Sequence, residues 1–188
     1  MEFTDLIMRR RSIRDFHDRP VPLETIHELI EEACLAPSSG NGQPWRFVVV
    51  RGRDWIDRLS DESKRNILDH LERNPDSGMA RYRGTLENPS FNVFYSAPCV
   101  VIVGGSREVA TNIADCTLAA CYFMMGAAAR GLGTCWVGLG ANLKDPELRG
   151  ELGMEDDFQI VAPLALGYPK KIPRPPRRKP AQIVEIGA

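Results

Sequence analysis

The run Ala97-Pro98-Cys99-Val100-Val101-Ile102-Val103, closed by Gly104-Gly105, sets the tightest limit on how this chain can fold. No charged side chain interrupts it, so a strand built from it is buried on both faces and needs a layer of structure on each side. A second segment adds to the constraint. From about residue 109 to 129 the chain reads as a long helix, apolar on most sides, that belongs at the centre of the fold or in a subunit interface. Its most apolar part, 118–129, is shorter than the ~20 residues that span a bilayer. Asp115 and Arg130 flank it closely, so it reads as a buried helix and no membrane association is expected.

Periodicity and punctuation suggest the remaining elements. Thr4 is placed to cap a first helix ending near Arg10. Val21-Pro22-Leu23-Glu24 opens a second, with proline suited to its first turn. There Ile26, Leu29, Ile30, Ala33 and Cys34 share one face, while Glu24, Glu28, Glu31 and Glu32 take the other with His27 on the surface. Pro37 stops that helix and a loop of small polar residues leads to Trp45. A strand follows at 47–51, then an amphipathic helix over 55–71 and an irregular stretch over 73–95 holding one short helix. The pattern resumes with a strand at 134–139, a short helix over 145–152 opened by Asp-Pro, and a last core strand at 160–166. The prolines of the tail forbid a helix there, and 183–186 reads as a final strand. A chain of 188 residues without internal repeats is expected to form one domain, 1–188.

Charge is balanced in sum and uneven in place. The chain has 24 Lys and Arg against 25 Asp and Glu, so it is not a general seeker of polyanions. Yet basic residues crowd into Arg9-Arg10-Arg11-Ser12-Ile13-Arg14 and again over 170–179. A guanidinium presents a planar fork that fits two phosphate oxygens, and a neighbouring hydroxyl can donate to a third. The first cluster therefore suits a single phosphate group, or else a solvated helix end whose cations complement the dipole. The loop 37–43 offers Ser, Asn and Gln side chains on a freely turning backbone, fit to meet a polar heterocycle or simply to connect two elements. The tail reads as a solvated run or a nucleic-acid grip, but it lacks the interleaved aromatic platform of a stacking site.

Five cysteines form no CxxC pair, and three histidines form no HxxxH or HxH, so no metal site is expected. Free thiols in apolar stretches fit a reducing compartment. Cys116 and Cys121 lie about 140° apart around a helix and should not pair. The opening residues lack the basic-then-apolar pattern of a secretory leader, and a cytoplasmic protein is expected.

Taken in order, Arg10-Arg11-Ser12-Ile13-Arg14, the motif from Pro37 to Trp45, the Ala97-Pro98 strand, Gly131-Leu132-Gly133-Thr134-Cys135-Trp136 and Leu166-Gly167-Tyr168-Pro169 resemble the nitroreductase family of flavoenzymes. The match in order and spacing runs from the first residue to about 179. Only 60–95 carries no family mark. The resemblance implies an α+β fold with a central mixed β-sheet wrapped by helices. It also implies an intertwined homodimer holding two FMN molecules at its interface, with the tail 169–188 extending onto the partner.

It further implies roles for single residues. Arg10, Ser12 and Arg14 match ligands of the FMN phosphate and ribityl chain, with Arg11 adjacent. Arg178 matches a C-terminal arginine closing on the same phosphate, with Arg177 its rival. Pro37, Ser38, Ser39 and Asn41 match a loop reaching the flavin from the partner subunit, and Gln43 and Trp45 complete that motif, Trp45 as packing. Trp136, Val137, Gly138 and Leu139 match the strand end beside the flavin ring, where a backbone N–H faces N5. Many relatives carry an acidic residue near the place of Gly138. Phe91, Phe94 and Tyr95 line either the substrate pocket or the core.

The implied chemistry is hydride uptake from NADH or NADPH by the flavin and delivery to nitroaromatics, quinones or a related electron-poor small molecule. The flavin carries this chemistry, so no catalytic acid or base is assigned. Two alternatives stand beside it. One is the same fold with dehydrogenation, dehalogenation or flavin breakdown, and the other is a flavin-free nucleic-acid-binding protein.

Overall fold

Four strands form one sheet: β1 (Arg46–Arg51), β2 (Cys99–Ser106), β3 (Gly133–Trp136) and β4 (Phe158–Gly167), arranged β1-β2-β4-β3. This is a computed structural model, and it describes residues 2–187. The two central strands are the near-continuous apolar ones, as burial on both faces requires. Six helices surround the sheet: α1 (Phe3–Arg9), α2 (Leu23–Ala33), α3 (Arg53–Arg73), α4 (Arg83–Leu86), α5 (Asn112–Ala129) and α6 (Pro146–Glu151). The architecture is α+β, as the resemblance implied.

Side-chain alternation along the strands sorts the core into two layers. Val48, Val50, Val100 and Ile102 pack on one face with Ile56, Leu59, Ile67 and Leu71 of α3. Phe47, Val49, Cys99, Val101 and Val103 pack on the other with Ile26, Leu29 and Ala33 of α2 and Cys116, Ala119, Ala120 and Phe123 of α5. The periodicity of α2 is therefore real, and His27 is exposed opposite it. Phe94 is fully buried and belongs to the core, while Phe91 and Tyr95 are half-buried beside it. Among the described residues no helix is long and apolar enough to cross a membrane.

All three ladders are antiparallel. The parallel component is one isolated bridge, Ser12 to Thr134, which ties the basic segment alongside β3. Several boundaries differ from expectation. Thr4 does not cap α1, because the helix begins one residue before it with Glu2 at the N-cap and no side-chain capping bond. The expected strand at 134–139 stops at Trp136 and turns into a 3-10 segment, Gly138–Ala141. Residues 183–186 are exposed and pair with no strand among the described residues, neither β1 nor β3 taking them up at an edge of the sheet. The Asp-Pro signal worked as read: Asp145 caps α6, its Oδ1 accepting from the amides of Glu147 and Leu148.

One face of α5 remains outside the core. Ile113, Leu118 and Tyr122 are exposed on it, and α1, which packs against α5, exposes Phe3, Ile7 and Met8.

Candidate functional site

The bridge at Ser12 and the bond from the Ile13 amide to the Thr134 carbonyl, 2.9 Å, run the segment 10–14 alongside β3. Gly133 makes this approach possible, because a Cβ there would lie 2.7 Å from Ile13 Cγ1. The basic cluster thus ends up beside the strand whose tip is Trp136. Arg14 joins the two places: its guanidinium lies 5.8 Å from the centre of the Tyr95 ring and near the thiol of Cys135. The Tyr95 contact is the largest cause raising the Arg14 pKa further, which keeps it cationic. Burial pushes the Cys135 thiol up, against the pull of Arg14 and Arg10.

The tail returns to the same place. Arg10, Arg11, Ser12 and Arg14 line one cavity of about 390 Å³ with Pro173, Arg174, Pro176 and Arg178. Five guanidinium groups and a hydroxyl therefore face one space, and among the described residues no carboxylate lines it. Some arginines elsewhere are paired, as Arg46 with Glu155, Arg53 with Asp18 and Arg130 with Glu32. Among the described residues none of the five cavity arginines forms an ion pair. The Arg11 Nε is buried without a partner, although another nitrogen of the same group donates to the Arg10 carbonyl at 2.6 Å. Such a donor is held ready for an acceptor that the chain does not supply.

Arg178 lines this cavity and Arg177 does not. Arg174 also lines it and escaped sequence reasoning, because a lone arginine between prolines looks like any linker residue. The signal available was the alternation of Arg with Pro, which keeps the chain extended.

The strand end offers backbone donors. The Val137 amide is already engaged by the Pro163 carbonyl at 2.8 Å, and the Gly140 amide by Val137 at 2.9 Å. Gly138 and Leu139 open the 3-10 turn, where the first N–H groups have no partner within the turn. Trp136 is partly exposed at the tip, and a Cβ built on Gly138 meets nothing within 4 Å.

Tyr95 is held in an unusual backbone. It and Ser96 have φ of 57° and 52°, a region that L-residues rarely adopt. Asn92 anchors this turn: its Oδ1 accepts from the amides of Phe94 and Ser96, and its side-chain amide donates to Asp57 at 2.7 Å. The expected irregular stretch is therefore a built loop that carries Tyr95 to Arg14.

The loop 37–43 lies elsewhere. Asn41 and Gln43 take left-handed φ values of 57° and 44°, the Gln43 amide donates to Ser38 Oγ, and the Gln43 side chain to Asn41 Oδ1 at 3.0 Å. The Ser39 amide fastens the loop to Asp115 near the start of α5, and Trp45 is buried beneath it. Arg9, Arg10 and Arg11 instead share a second cavity with Ala128 and Ala129 at the other end of α5. Thirteen residues at 1.5 Å each separate Asp115 from Ala128, about 20 Å. Within one chain the loop with Pro37, Ser38, Ser39 and Asn41 and the arginine cavity do not meet.

Comparison with known proteins fits this geometry. A model of the nitroreductase family matches residues 7–168. The chloronitrobenzene nitroreductase of Comamonas testosteroni is 30% identical over 197 residues, covering 87% of this chain and 85% of that protein. Iodotyrosine deiodinase 1 of Rattus norvegicus is 27% identical over 183 residues, covering 90% of this chain and 63% of the deiodinase. A crystal structure of a nitroreductase with bound FMN from Bacteroides fragilis superposes over the whole of both chains with a TM-score of 0.84 at 23% identity, a likeness of fold.

Proposed function

The chain belongs to the nitroreductase family, and from that premise we propose that it is an FMN-dependent oxidoreductase that takes hydride from NADH or NADPH and reduces nitroaromatics, quinones or similar electron-poor small molecules. The observation that carries this reading is the cavity lined by Arg10, Arg11, Ser12, Arg14 and Arg178, which has the donor set of a phosphate site and, among the described residues, no carboxylate to oppose it. The buried, unpartnered Arg11 Nε fits the same group.

Bound FMN would supply the hydride acceptor, and the residues of this chain hold and tune it. Arg10, Arg14 and Arg178 neutralise its phosphate, and Ser12 adds a hydroxyl donor. With FMN bound, the first amides of the turn at Gly138 and Leu139, which have no partner within the turn, would be available to stabilise charge that develops on the redox ring. Trp136 at the strand tip and Tyr95 beside Arg14 are the aromatic side chains that would lie near the bound group.

The loop 37–41 completes the site from a second copy. Its attachment at Asp115, about 20 Å along α5 from Ala128 beside Arg9, Arg10 and Arg11, together with the apolar faces of α5 and α1, supports a homodimer in which each loop serves the partner's flavin. All five cysteines are unpaired, which suits a reducing cytoplasm. A second reading keeps the fold and the flavin but changes the substrate to a halogenated aromatic, and the similarity to a deiodinase over 90% of this chain favours it next.

The test is the visible spectrum of the purified protein, followed by NADH and NADPH without oxygen. Flavin bands that bleach with a nicotinamide donor, and recover on adding a nitroaromatic or quinone, are expected. Bound flavin that recovers only with a halogenated phenol selects the second reading. A protein that stays colourless after incubation with FMN overturns both. Light scattering at micromolar concentration should give a dimer, and a monomer that retains flavin contradicts the shared site.

A further inference from the structure

We propose that Glu62 is a positioning residue for the flavin chemistry: it anchors the 3-10 turn Gly138–Ala141 through a line of hydrogen bonds, and the fixed turn makes hydride uptake by bound FMN more favourable. This inference rests on the FMN reading above. Glu62 lies on α3 and is only 4% exposed. A buried ion pair is often no more stabilising than apolar residues of the same volume. What a carboxylate offers instead is direction, because it holds particular N–H groups in particular places.

Two of those groups belong to the segment that leaves the turn. Glu62 Oε1 accepts from the amides of Lys144 and Asp145 at 3.2 and 3.0 Å, and from the Asn66 side chain at 2.6 Å. The other oxygen takes the guanidinium of Arg65. Asn66, about one helical turn further along α3, passes the contact on. Its side-chain amide also donates to the Asn142 carbonyl at 2.8 Å, and the Asn142 side chain donates to the Leu139 carbonyl at 2.9 Å. The line therefore ends on the peptide between Leu139 and Gly140, inside the turn. The amide of that same peptide donates to the Val137 carbonyl at 2.9 Å. With both ends of this peptide engaged, the preceding amides of Gly138 and Leu139 are fixed in place and have no partner within the turn.

The turn is packed against the rest of the site. A Cβ on Gly140 would run into the Phe94 ring, and the next residue, Tyr95, reaches Arg14. The same helix holds that loop as well, Ser60 Oγ accepting from the Val93 amide at 2.9 Å and Asp57 from the Asn92 side chain at 2.7 Å. At about 100° per residue, 57 and 60 fall to one side of the middle of the apolar stripe of Ile56, Leu59, Ile67 and Leu71, and 62 and 66 fall to the other. α3 thus steadies two separate walls at once. In the reaction the nicotinamide gives up a hydride, two electrons and one proton, so a neutral ring that accepts it gains one negative charge. N–H donors already in position lower the energy of that charge without reorganising, and a loose turn forfeits the gain.

The experiment titrates the bound flavin of FMN-loaded parent and variants against a dye of known potential. Asn142→Ala and Glu62→Ala should each make two-electron reduction about tenfold less favourable, a potential lower by about 30 mV. Glu62→Gln keeps an acceptor oxygen in the same place and should recover most of the parent's potential. Asp145→Ala removes the cap of α6 but leaves the line to Leu139 intact, so it should lose stability in urea with its potential unchanged. Hydrogen exchange on the FMN-free proteins needs no flavin: the amides of 138–142 should exchange faster in Asn142→Ala and Glu62→Ala than in Asp145→Ala. An Asn142→Ala protein with the parent's potential, or with unchanged exchange in the turn, overturns the proposal. So does an Asp145→Ala protein whose potential falls as far. Should Glu62→Ala fail to fold, Asn142→Ala decides, since Asn142 is only half-buried. A parent protein that takes up no FMN removes the reading on which this one rests, and the exchange data still show whether Glu62 holds the turn.

Discussion

The amide of Ser39 donates to Oδ1 of Asp115 at 3.1 Å, across 76 residues of sequence. The other carboxylate oxygen accepts from Thr111 Oγ1 at 2.8 Å, and the Asp115 side chain is almost wholly buried. One carboxylate therefore anchors the loop to the first turn of α5. Asp115→Ala would leave the Ser39 amide without its acceptor and should cost about 1–3 kcal/mol. Urea denaturation measures that loss. FMN retention should also fall, and a variant as stable as the parent with full flavin content would show that the loop needs no such anchor.

Arg14 is exposed, so its role is better read from ligand affinity than from stability. Arg14→Ala should weaken FMN binding by roughly 10- to 100-fold, the usual range for losing a hydrogen bond to a charged group. The apoprotein should keep its circular dichroism spectrum. Fluorescence titration with FMN provides the check, and unchanged affinity removes Arg14 from the site.

Glu62 carries a pH dependence. Its side chain is buried, and burial alone would raise its pKa. The Asn66 side chain at 2.6 Å, the amides of Asp145 and Lys144 at 3.0 and 3.2 Å, and Arg65 together hold it below the ordinary 4.5. Because the folded value lies below the unfolded one, the stabilisation is fully present above about pH 4.5. It is lost as pH falls through the lowered folded value. Glu62→Gln should therefore flatten the acid limb of a stability-against-pH curve measured in urea. An identical acid limb in the variant would mean that Glu62 does not titrate in that range.

Gly105 sits where β2 passes beneath the loop. A Cβ there would run into Asn112 Oδ1 and the Pro44 carbonyl oxygen. Neither can retreat freely, since Asn112 is buried and its amide is bonded to Gln159 at 3.1 Å. Gly105→Ala should destabilise the protein by about 1–3 kcal/mol, as overpacking does. Thermal unfolding would register this as a Tm lowered by several degrees, and no shift would show that the loop moves aside easily.

What the sequence made legible was what its local patterns encode. The unbroken apolar run predicted a doubly covered strand, and β2 is one. Five apolar positions in α2 predicted its buried face, and the Asp-Pro pair predicted the start of α6. The failures share a different origin. Residues 183–186 have the composition of a strand, but a strand also needs an edge, and composition does not say where one is. Thr4 has the chemistry of a cap, but the helix began one residue too early for it. The reach of Arg174 into the cavity and of Asn92 under Tyr95 depends on chain segments far apart in sequence, with no local mark. The placement of the loop 37–43 at the far end of α5 from the arginines belongs to the same class.

The empty space beside Gly138 has a meaning for how such a protein changes over generations. Most glycines near the core are fixed by neighbours that leave no room, but this one is constrained neither by packing nor by a left-handed backbone. A new side chain there would enter the proposed substrate space at little expense to the fold. Under the proposed reading, substitution at this position is expected to change which small molecules the site admits while leaving the fold intact.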